Sequence, residues 1–176
     1  VRMQGRFSVD RAQAQRVSTL AAQFHSVLNA AASDEMANRL RWAALLHEVG
    51  FAISHNDYHK HSAYLIQHSD IAGFSTSDQE RVATLVLAQR GNLKKVYQAL
   101  EDHEGAASIL SLRLAVVLAH ARRAVELPNW SVKFGKTIEL GLASDWLTRH
   151  PLTQYLLEEE ATHWERVGVA FALRPL

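Results

Sequence analysis

The chain has 176 residues, of which 48% are hydrophobic and 21% charged, and it contains no cysteine. This size and composition allow a folded core without disulfides. The lack of cysteine excludes a disulfide framework and any thiolate metal site, and the absence of disulfides is typical of cytoplasmic proteins. The net charge of +1 gives no reason to expect a nucleic-acid partner. Because no run of about 20 apolar residues and no signal-peptide core occurs, we expect a cytoplasmic protein that does not bind a membrane. The start at Val1, without an initiator methionine, leads us to expect a piece of a longer chain.

Most of the first 125 residues show the apolar spacing of amphipathic helices with one buried face. Asp10 with Gln13 and Ser77 with Glu80 resemble capping boxes that begin helices, and Gly50 is placed to end one. The predicted helices span residues 10–29, 34–49, 59–69, 77–91, 94–101 and 106–125, with a loop at 51–58. The last helix is apolar around most of its circumference, which predicts that it is the central buried helix.

The pattern changes after Pro128, where short strands replace helices. Residues 130–134 and 137–142 have strand-like composition and flank Gly135 and Lys136. A two-residue loop with glycine first is typical of a tight hairpin. The sequence therefore predicts a β-hairpin here.

A last helix is predicted from Pro151 to about Val167, because proline is favoured at a helix start. Residues 168–173 then form a final strand that returns to the hairpin. We therefore predict a mainly α fold, with a helical domain at residues 1–127 and a small α+β domain at residues 128–176.

Two features of the small domain have structural interpretations. Trp130, Trp146 and Trp164 are spread over strands and helices, and this spacing favours a packed core over an aromatic stacking platform. The acidic run Glu158–Glu160 is interpreted as a solvated helix face.

The most specific short motif is the adjacent pair His47 and Glu48 at a helix end. It resembles the HD motif of metal-dependent phosphohydrolases, in which a His–Asp pair joins an earlier histidine and a later aspartate to hold metal ions that activate water. Here Gln13 stands where the earlier histidine is expected, Arg122 stands at or near the place of the last aspartate, and Glu48 replaces the aspartate of the pair. A guanidinium repels a divalent cation. We therefore predict a degenerate HD site, formed by these four residues, that binds no metal.

Half of the ten histidines fall between positions 47 and 68. Zinc could use such a cluster. The alternative is that they are turn and first-turn residues that form local hydrogen bonds, and no closed metal spacing is visible. Whether the cluster binds a metal stays open at this point.

Several sequence blocks have an order and spacing found together in one enzyme family. They are Arg6–Asp10 with Gln15–Val17, Ala43–Gly50, His59–Ile66, Ser69–Asp70 before Gly73–Phe74, and Leu157–Glu160 with Trp164 and Gly168. These blocks resemble the C-terminal half of the exopolyphosphatase and guanosine pentaphosphate phosphohydrolase family, in particular the exopolyphosphatases. The block from His59 to Tyr64 carries most of the resemblance.

The resemblance implies a two-part enzyme with an N-terminal actin-like catalytic domain, followed by an HD-like helical domain and a small terminal domain. The parent reaction is implied to be release of terminal orthophosphate from polyphosphate, with a divalent metal such as Mg²⁺ and a homodimeric assembly. The eight glycines of the chain are isolated, and no glycine-rich phosphate loop occurs. We therefore expect this chain to contain no catalytic residues and no cofactor of its own.

A polyphosphate chain needs spaced cations, as the nucleic-acid backbone does. The candidate ligands are three residues at a helix start and three further cations: His59, Lys60, His61, Arg90, Lys94 and Arg122. If the histidines are exposed, their protonation near pH ~6.5 is expected to strengthen binding. The alternatives are a solubilising surface and, for Arg122, a structural salt bridge with Glu48 in the old metal position.

The leading interpretation is a non-catalytic module that handles polyphosphate and forms dimers. Its rivals are a surviving metal-dependent HD phosphohydrolase that uses His47 and Glu48, and a purely structural dimerisation domain. The sequence does not decide whether the parent enzyme prefers polyphosphate or guanosine pentaphosphate, nor whether this chain dimerises alone.

Overall fold

A computed structural model describes residues 2–176, except for the side chain of Arg2. The α-helices in this part of the chain are α1 (Arg2–Arg6), α2 (Arg11–Leu28), α3 (Asp34–Leu46), α4 (Tyr58–His68), α5 (Thr76–Ala88), α6 (His103–Leu118), α7 (Ser144–Arg149) and α8 (Pro151–Glu165). The strands are β1 (Trp130–Phe134), β2 (Thr137–Leu142) and β3 (Ala170–Pro175), and 3₁₀ turns cover Val49–Ala52 and Leu93–Leu100. The predicted mainly α fold with a small α+β part is confirmed.

Side-chain caps fix where the helices begin. The Asp10 carboxylate accepts the Gln13 N–H at 3.0 Å, and α2 begins as predicted. Helix α5 begins at Thr76, because the Ser75 hydroxyl accepts the Asp78 N–H at 3.1 Å. The capping box predicted at Ser77 is therefore wrong by two residues.

Helix α6 lies at the centre of the helical part, and residues on all its faces are buried. The predicted central helix is confirmed, but its predicted end at Val125 is wrong, because α6 ends at Leu118. Arg122 has a φ of 55°, a left-handed conformation that no α-helix can continue. Residues 123–129 form an irregular connection to β1.

The predicted hairpin is confirmed: β1 and β2 pair antiparallel, with Trp130 opposite Leu142 and Phe134 opposite Ile138. The final strand, β3, pairs with β2 in parallel, from Thr137 beside Ala170 onward. It ends two residues later than predicted. The sheet order is β1-β2-β3, so β1 and β3 are the edge strands.

The core continues from the helices into the sheet. The Phe24 ring of α2 meets the Trp130 ring edge-on, with 4.8 Å between centroids. Trp146 and Trp164 are buried, as the core interpretation of the tryptophans predicted. The division into domains at residue 127 stays a prediction.

The interpretation of the acidic run as a solvated face is wrong for Glu160, which is 4% exposed. Its carboxylate accepts hydrogen bonds from Arg113 Nε at 2.5 Å and Nη2 at 2.8 Å, and from Trp164 Nε1 at 2.7 Å. Arg113 is fully buried and also donates to the backbone oxygens of Ala88 and Gly91. This buried ion pair connects α5, α6 and α8.

Two shorter predictions differ in detail. The predicted loop at 51–58 begins inside a 3₁₀ turn, and the predicted helix at 94–101 is a 3₁₀ segment kinked at Val96. None of the helices among residues 2–176 has the length and apolarity that crossing a bilayer requires.

Candidate functional site

The four residues of the predicted degenerate HD site lie in one cleft. Gln13 comes from α2, His47 and Glu48 follow α3, and Arg122 follows α6. Arg122 grips the Glu48 carboxylate with two parallel hydrogen bonds, from Nη1 to Oε1 at 2.7 Å and from Nη2 to Oε2 at 3.0 Å. Its Nη2 also donates to Asp10 Oδ2 at 3.1 Å. The structural salt bridge considered for Arg122 is therefore present.

The turn after α6 directs Arg122 into this position. The Arg122 N–H bonds to the Ala119 carbonyl at 3.0 Å, and its left-handed backbone costs about 1–2 kcal/mol in a residue other than glycine. Glu48 is buried, whereas the Arg122 side chain is 43% exposed. The hydrogen bonds to Glu48 raise the pKa of Arg122, so its guanidinium stays charged. We infer that this pair offsets the backbone strain.

The other two members of the site are also fixed by local bonds. The Gln13 amide donates to the Ala119 carbonyl at 2.9 Å and accepts from Arg16 at 3.2 Å. The His47 Nδ1 lies 2.6 Å from the Ala44 carbonyl, so the proton is assigned to Nδ1. Burial lowers the pKa of His47, which keeps the imidazole neutral near pH 7.

This arrangement does not fit a metal ion. In HD enzymes four side chains converge on the metal, whereas here Gln13 turns its amide to a backbone carbonyl and Arg122 occupies the carboxylate of Glu48. Among residues 2–176, no three side chains of His, Cys, Asp or Glu are grouped as metal ligands, which includes the histidines between 47 and 68. The cation that balances Glu48 is a guanidinium of the chain itself.

Helices α3, α4 and α5 converge behind His47. The Ser62 hydroxyl donates to the His47 carbonyl at 2.9 Å and accepts the Gly50 N–H at 2.8 Å. Gln89 Nε2 donates to the same carbonyl at 2.8 Å. A Cβ at Gly50 would lie 2.2 Å from the Tyr58 carbonyl oxygen, so only glycine allows this approach.

Three cations lie close together, one of them, Arg90, in the lining of the same cleft, and we call Lys60, Arg90 and Lys95 the basic cluster. Lys95 Nζ donates to the Arg90 carbonyl at 2.8 Å, and the Arg90 guanidinium lies 5.2 Å from the centre of the Tyr58 ring. Lys60 forms an exposed ion pair with Asp57 at 2.8 Å. Across the described residues, neither Arg90 nor Lys95 lies within ion-pair distance of a carboxylate.

The charges of the basic cluster act on one another. Desolvation, followed by the charges of Arg113 and Lys60, lowers the pKa of Lys95 to about 8. Desolvation and the charges of Lys95 and Arg90 lower the pKa of His59 to about 4. Arg90 and Lys95 therefore carry positive charge that no carboxylate among residues 2–176 neutralises, whereas Lys60 is paired with Asp57.

The structure places the predicted phosphate ligands unevenly. Lys60 and Arg90 lie in the basic cluster, while Lys94 is exposed and its neighbour Lys95 reaches Arg90 instead. His59 is only 6% exposed and His61 is half-buried. Stronger binding on protonation near pH 6.5 was expected only if the histidines are exposed, and His59 does not meet this condition, because it is buried and its pKa is lowered to about 4.

Arg90 of the basic cluster and the four residues of the degenerate HD site line one cleft of about 430 Å³, whereas Lys60 and Lys95 do not line it. Tyr58 lies between Arg90 on one side and the Glu48–Arg122 pair on the other, and all four line the cleft. Helix α8 forms the opposite wall, where Glu159 lies. A ligand bound at Arg90 would therefore face the same cleft as the degenerate HD site.

Comparison with known families agrees with this geometry. The family model described as Ppx/GppA phosphatase, domain III, matches residues 1–161. The chain belongs to this family. The part that matches domain III includes the degenerate HD site and the basic cluster, and it ends within α8, before β3.

A curated relative supports the same assignment of this domain III chain. It is 32% identical over 173 residues to a protein of Pseudoalteromonas translucida (strain TAC 125) named guanosine-5'-triphosphate,3'-diphosphate pyrophosphatase. The alignment covers 93% of this chain and 34% of that protein. The chain therefore spans about a third of the length of this relative.

Sequence reasoning missed three residues of the site. Ser62 and Gln89 act through the His47 carbonyl, and no local pattern signals such contacts across 15 and 42 residues. Of the neighbours Lys94 and Lys95, sequence reasoning selected Lys94 as the phosphate ligand, because a regular helix does not distinguish the two. In the structure of domain III this segment is a 3₁₀ helix, and Lys95 is the lysine that bonds to the Arg90 carbonyl.

Proposed function

We propose that this domain III holds the phosphate chain of a substrate for a hydrolytic site that lies outside the chain, and that it joins two copies of the enzyme. Polyphosphate is the proposed substrate, and release of terminal orthophosphate is the proposed reaction of the whole enzyme. The proposed partner in the same polypeptide is an N-terminal actin-like catalytic domain. That domain would bind Mg²⁺, and the enzyme would work in the cytoplasm.

The observation that carries this proposal is the basic cluster. Lys60, Arg90 and Lys95 are close enough to lower the pKa of Lys95, yet Arg90 and Lys95 have no carboxylate within ion-pair distance among residues 2–176. Like charges held together without counter-charge destabilise a fold. A bound polyanion would remove this repulsion, and successive phosphates of one chain could contact successive cations.

The start of α4 adds to the same field. Asp57 precedes the helix, but its side chain forms no cap hydrogen bond with the first turn. The N–H groups of Tyr58 and His59 therefore receive no hydrogen bond from this side chain, and they lie at the positive end of the helix dipole. These groups favour an anion beside Lys60.

Arg122 is given a different role from the basic cluster. Its guanidinium lies between two carboxylates, Glu48 and Asp10, which together exceed its charge. We expect Arg122 to stabilise the cleft and to contribute little to phosphate binding. The same pair argues against the rival HD phosphohydrolase, because it occupies the carboxylate that a metal needs.

The proposal is tested by titrating this chain with short and long polyphosphate at two salt concentrations, using calorimetry. Long chains should bind more tightly, and three contacts should give a slope of about −2 for the logarithm of affinity against that of salt, by analogy with single-stranded nucleic acid. Arg90→Ala and Lys95→Ala should each weaken binding about five- to tenfold, which corresponds to about 1–1.4 kcal/mol. Lys136→Ala, which removes the same charge from the hairpin turn, is the matched control.

The outcomes separate the candidate functions. Equal affinity for both lengths, no salt dependence, or equal losses in Arg90→Ala and Lys136→Ala would overturn the polyphosphate role and leave a structural domain. A guanosine nucleotide with consecutive phosphates offers the same anionic groups, so it is titrated in parallel. Tighter binding of the nucleotide than of long polyphosphate would reassign the substrate. Phosphate release by this chain, abolished in His47→Ala, would favour the HD phosphohydrolase.

A further inference from the structure

Lys95 carries an exposed amine that local bonds hold in one place. The Asn92 side chain accepts the Lys94 N–H at 2.9 Å and begins the 3₁₀ segment Leu93–Leu100. The Lys95 side chain turns back over the preceding loop, where its Nζ donates to the Arg90 carbonyl at 2.8 Å. This amine therefore has a fixed position, although the residue is open to solvent.

A second cation lies beside this amine on the same loop. Arg113 Nη2 donates to the Gly91 carbonyl at 3.0 Å, one residue along from the carbonyl that Lys95 contacts. Desolvation, followed by the charges of Arg113 and Lys60, lowers the pKa of Lys95 to about 8. About a tenth of such an amine is uncharged at pH 7, against roughly one part in 2,500 at the ordinary lysine pKa of about 10.4. Lys95 is therefore able to act as a nucleophile at neutral pH.

The two nearest lysines differ from Lys95 in their surroundings. Lys60 forms an ion pair with Asp57 at 2.8 Å, and an ion pair favours the charged ammonium, which has no free electron pair. Lys95 has no carboxylate within ion-pair distance among residues 2–176. Lys94 directly precedes Lys95 and is also exposed, so it is the natural reference for reactivity.

Arg90 and Lys60 offer a place for a phosphate beside the amine. Both cations are near enough to act on the charge of Lys95. Arg90 has no carboxylate partner among residues 2–176, and a guanidinium suits phosphate because it donates two parallel hydrogen bonds. An acyl phosphate carries both groups that this arrangement recognises. Its phosphate suits the two cations, and its carbonyl carbon, one oxygen away, suits the amine.

We propose that Lys95 is a modification site that takes an acyl group from acyl phosphates, whose phosphate docks on Arg90 and Lys60. The neutral amine attacks the acyl carbon and forms a C–N amide bond, while the bond from that carbon to the phosphate oxygen breaks. Orthophosphate leaves with the electron pair, and the nitrogen loses one proton to water. Arg90 and Lys60 stabilise the charge that develops on the departing phosphate. The products are an Nε-acyl-lysine and orthophosphate.

Acylation of Lys95 also changes the basic cluster. The amide is uncharged, so the cluster loses one of its three cations. The acylated chain should therefore bind long polyphosphate about five- to tenfold more weakly, as Lys95→Ala should. This consequence rests on the proposed polyphosphate role, whereas the modification itself does not.

Acetyl phosphate is the probe, added to the full 176-residue chain at neutral pH, and mass spectrometry of peptide fragments follows the acetyl group on each lysine. Lys95 should be acetylated at least about tenfold faster than Lys94. Arg90→Ala and Lys60→Ala should each slow the reaction at Lys95 at least about threefold, because each removes a docking cation. Lys136→Ala, which removes the same charge from the hairpin turn, is the matched control and should leave the rate unchanged.

An uncharged reagent, the acetyl ester of N-hydroxysuccinimide, separates docking from the reactivity of the amine and needs no variant. It has no phosphate to dock, so the preference for Lys95 over Lys94 should fall at least about threefold. Equal preference with both reagents, or equal rates at Lys95 and Lys94 with acetyl phosphate, overturns the proposal.

The same samples distinguish this inference from the proposed function. If Lys95 is acetylated selectively but long polyphosphate does not bind the unmodified chain, the polyphosphate role fails and the modification stands. If polyphosphate binds but acetyl phosphate shows no preference for Lys95, the modification fails and the polyphosphate role stands.

Discussion

Replacement of Arg122 by alanine is expected to destabilise the fold by leaving a buried carboxylate without its cation. Glu48 is 6% exposed and receives two of its hydrogen bonds from Arg122. Breaking a fully buried pair costs about 3–5 kcal/mol. The Arg122 side chain is 43% exposed, so solvent replaces part of the interaction and we expect a loss of about 2 kcal/mol.

The left-handed backbone of Arg122 provides an internal control. Alanine keeps the strain at a φ of 55°, whereas glycine relieves about 1 kcal/mol of it. Arg122→Gly should therefore be more stable than Arg122→Ala, although it lacks the same guanidinium. Arg122→Lys should recover only part of the loss, because an ammonium cannot make the two parallel bonds.

Urea unfolding followed by circular dichroism measures these differences, and a double-mutant cycle with Glu48→Gln isolates the pair. We expect a coupling energy of about 1–2 kcal/mol, and the loss in Arg122→Ala should lower Tm by about 4–8 °C in a chain of this size. The reasoning is refuted if Arg122→Ala unfolds within about 0.5 kcal/mol of the parent, or if the coupling energy is near zero.

Three further predictions concern single residues near the cleft. The pKa of Lys95 is about 8, so its charge is lost above that pH. Raising the pH from 7 to 9 should therefore weaken polyphosphate binding up to about tenfold. Lys95→Arg should remove most of this change, and a parent chain whose affinity does not change with pH would contradict the prediction. The folded-state pKa of His59, about 4, lies below its unfolded value of about 6.5, so stability should be lost as pH falls between these values, by about 2 kcal/mol from pH 7 to 5. Urea unfolding at both pH values should show that His59→Gln lacks this pH-dependent loss of stability. The same loss in the parent chain and in His59→Gln would contradict the prediction. Gly50→Ala should lower the free energy of unfolding by more than about 3 kcal/mol, because its Cβ would lie 2.2 Å from the Tyr58 carbonyl oxygen. Gly135→Ala, with open space around it, should leave stability unchanged. Thermal unfolding compares the two variants, and equal Tm values would contradict the prediction.

The sequence was most informative where chemistry and spacing coincide. Adjacent His47 and Glu48 before a glycine located the cleft, and the missing carboxylate at Arg122 raised, as an alternative to phosphate binding, the pair that the structure contains. The fold class followed from helical periodicity and from the hairpin around Gly135. These signals are local, or they depend on one residue type at a known position.

The remaining features depend on contacts between distant residues. The Arg113–Glu160 pair joins positions 47 residues apart, and an acidic run on a helix gives no sign that one of its members is buried. His59 reads as a first-turn surface residue, yet it is buried. Helix ends were also uncertain, because the end of α6 at Leu118 is set by a turn whose stability depends on the distant Glu48. Periodicity alone does not contain this information.

The central claim, that the basic cluster holds a phosphate chain, is tested most directly by NMR of the isotope-labelled chain during titration with long polyphosphate. The amide signals of Tyr58 and His59 and those of residues 90–95 should shift together, with saturation, and the hairpin signals at residues 135–137 should stay in place. Arg90→Ala should reduce all of these shifts at a given ligand concentration. Shifts confined to another surface, or unchanged spectra at saturating polyphosphate, would contradict the account.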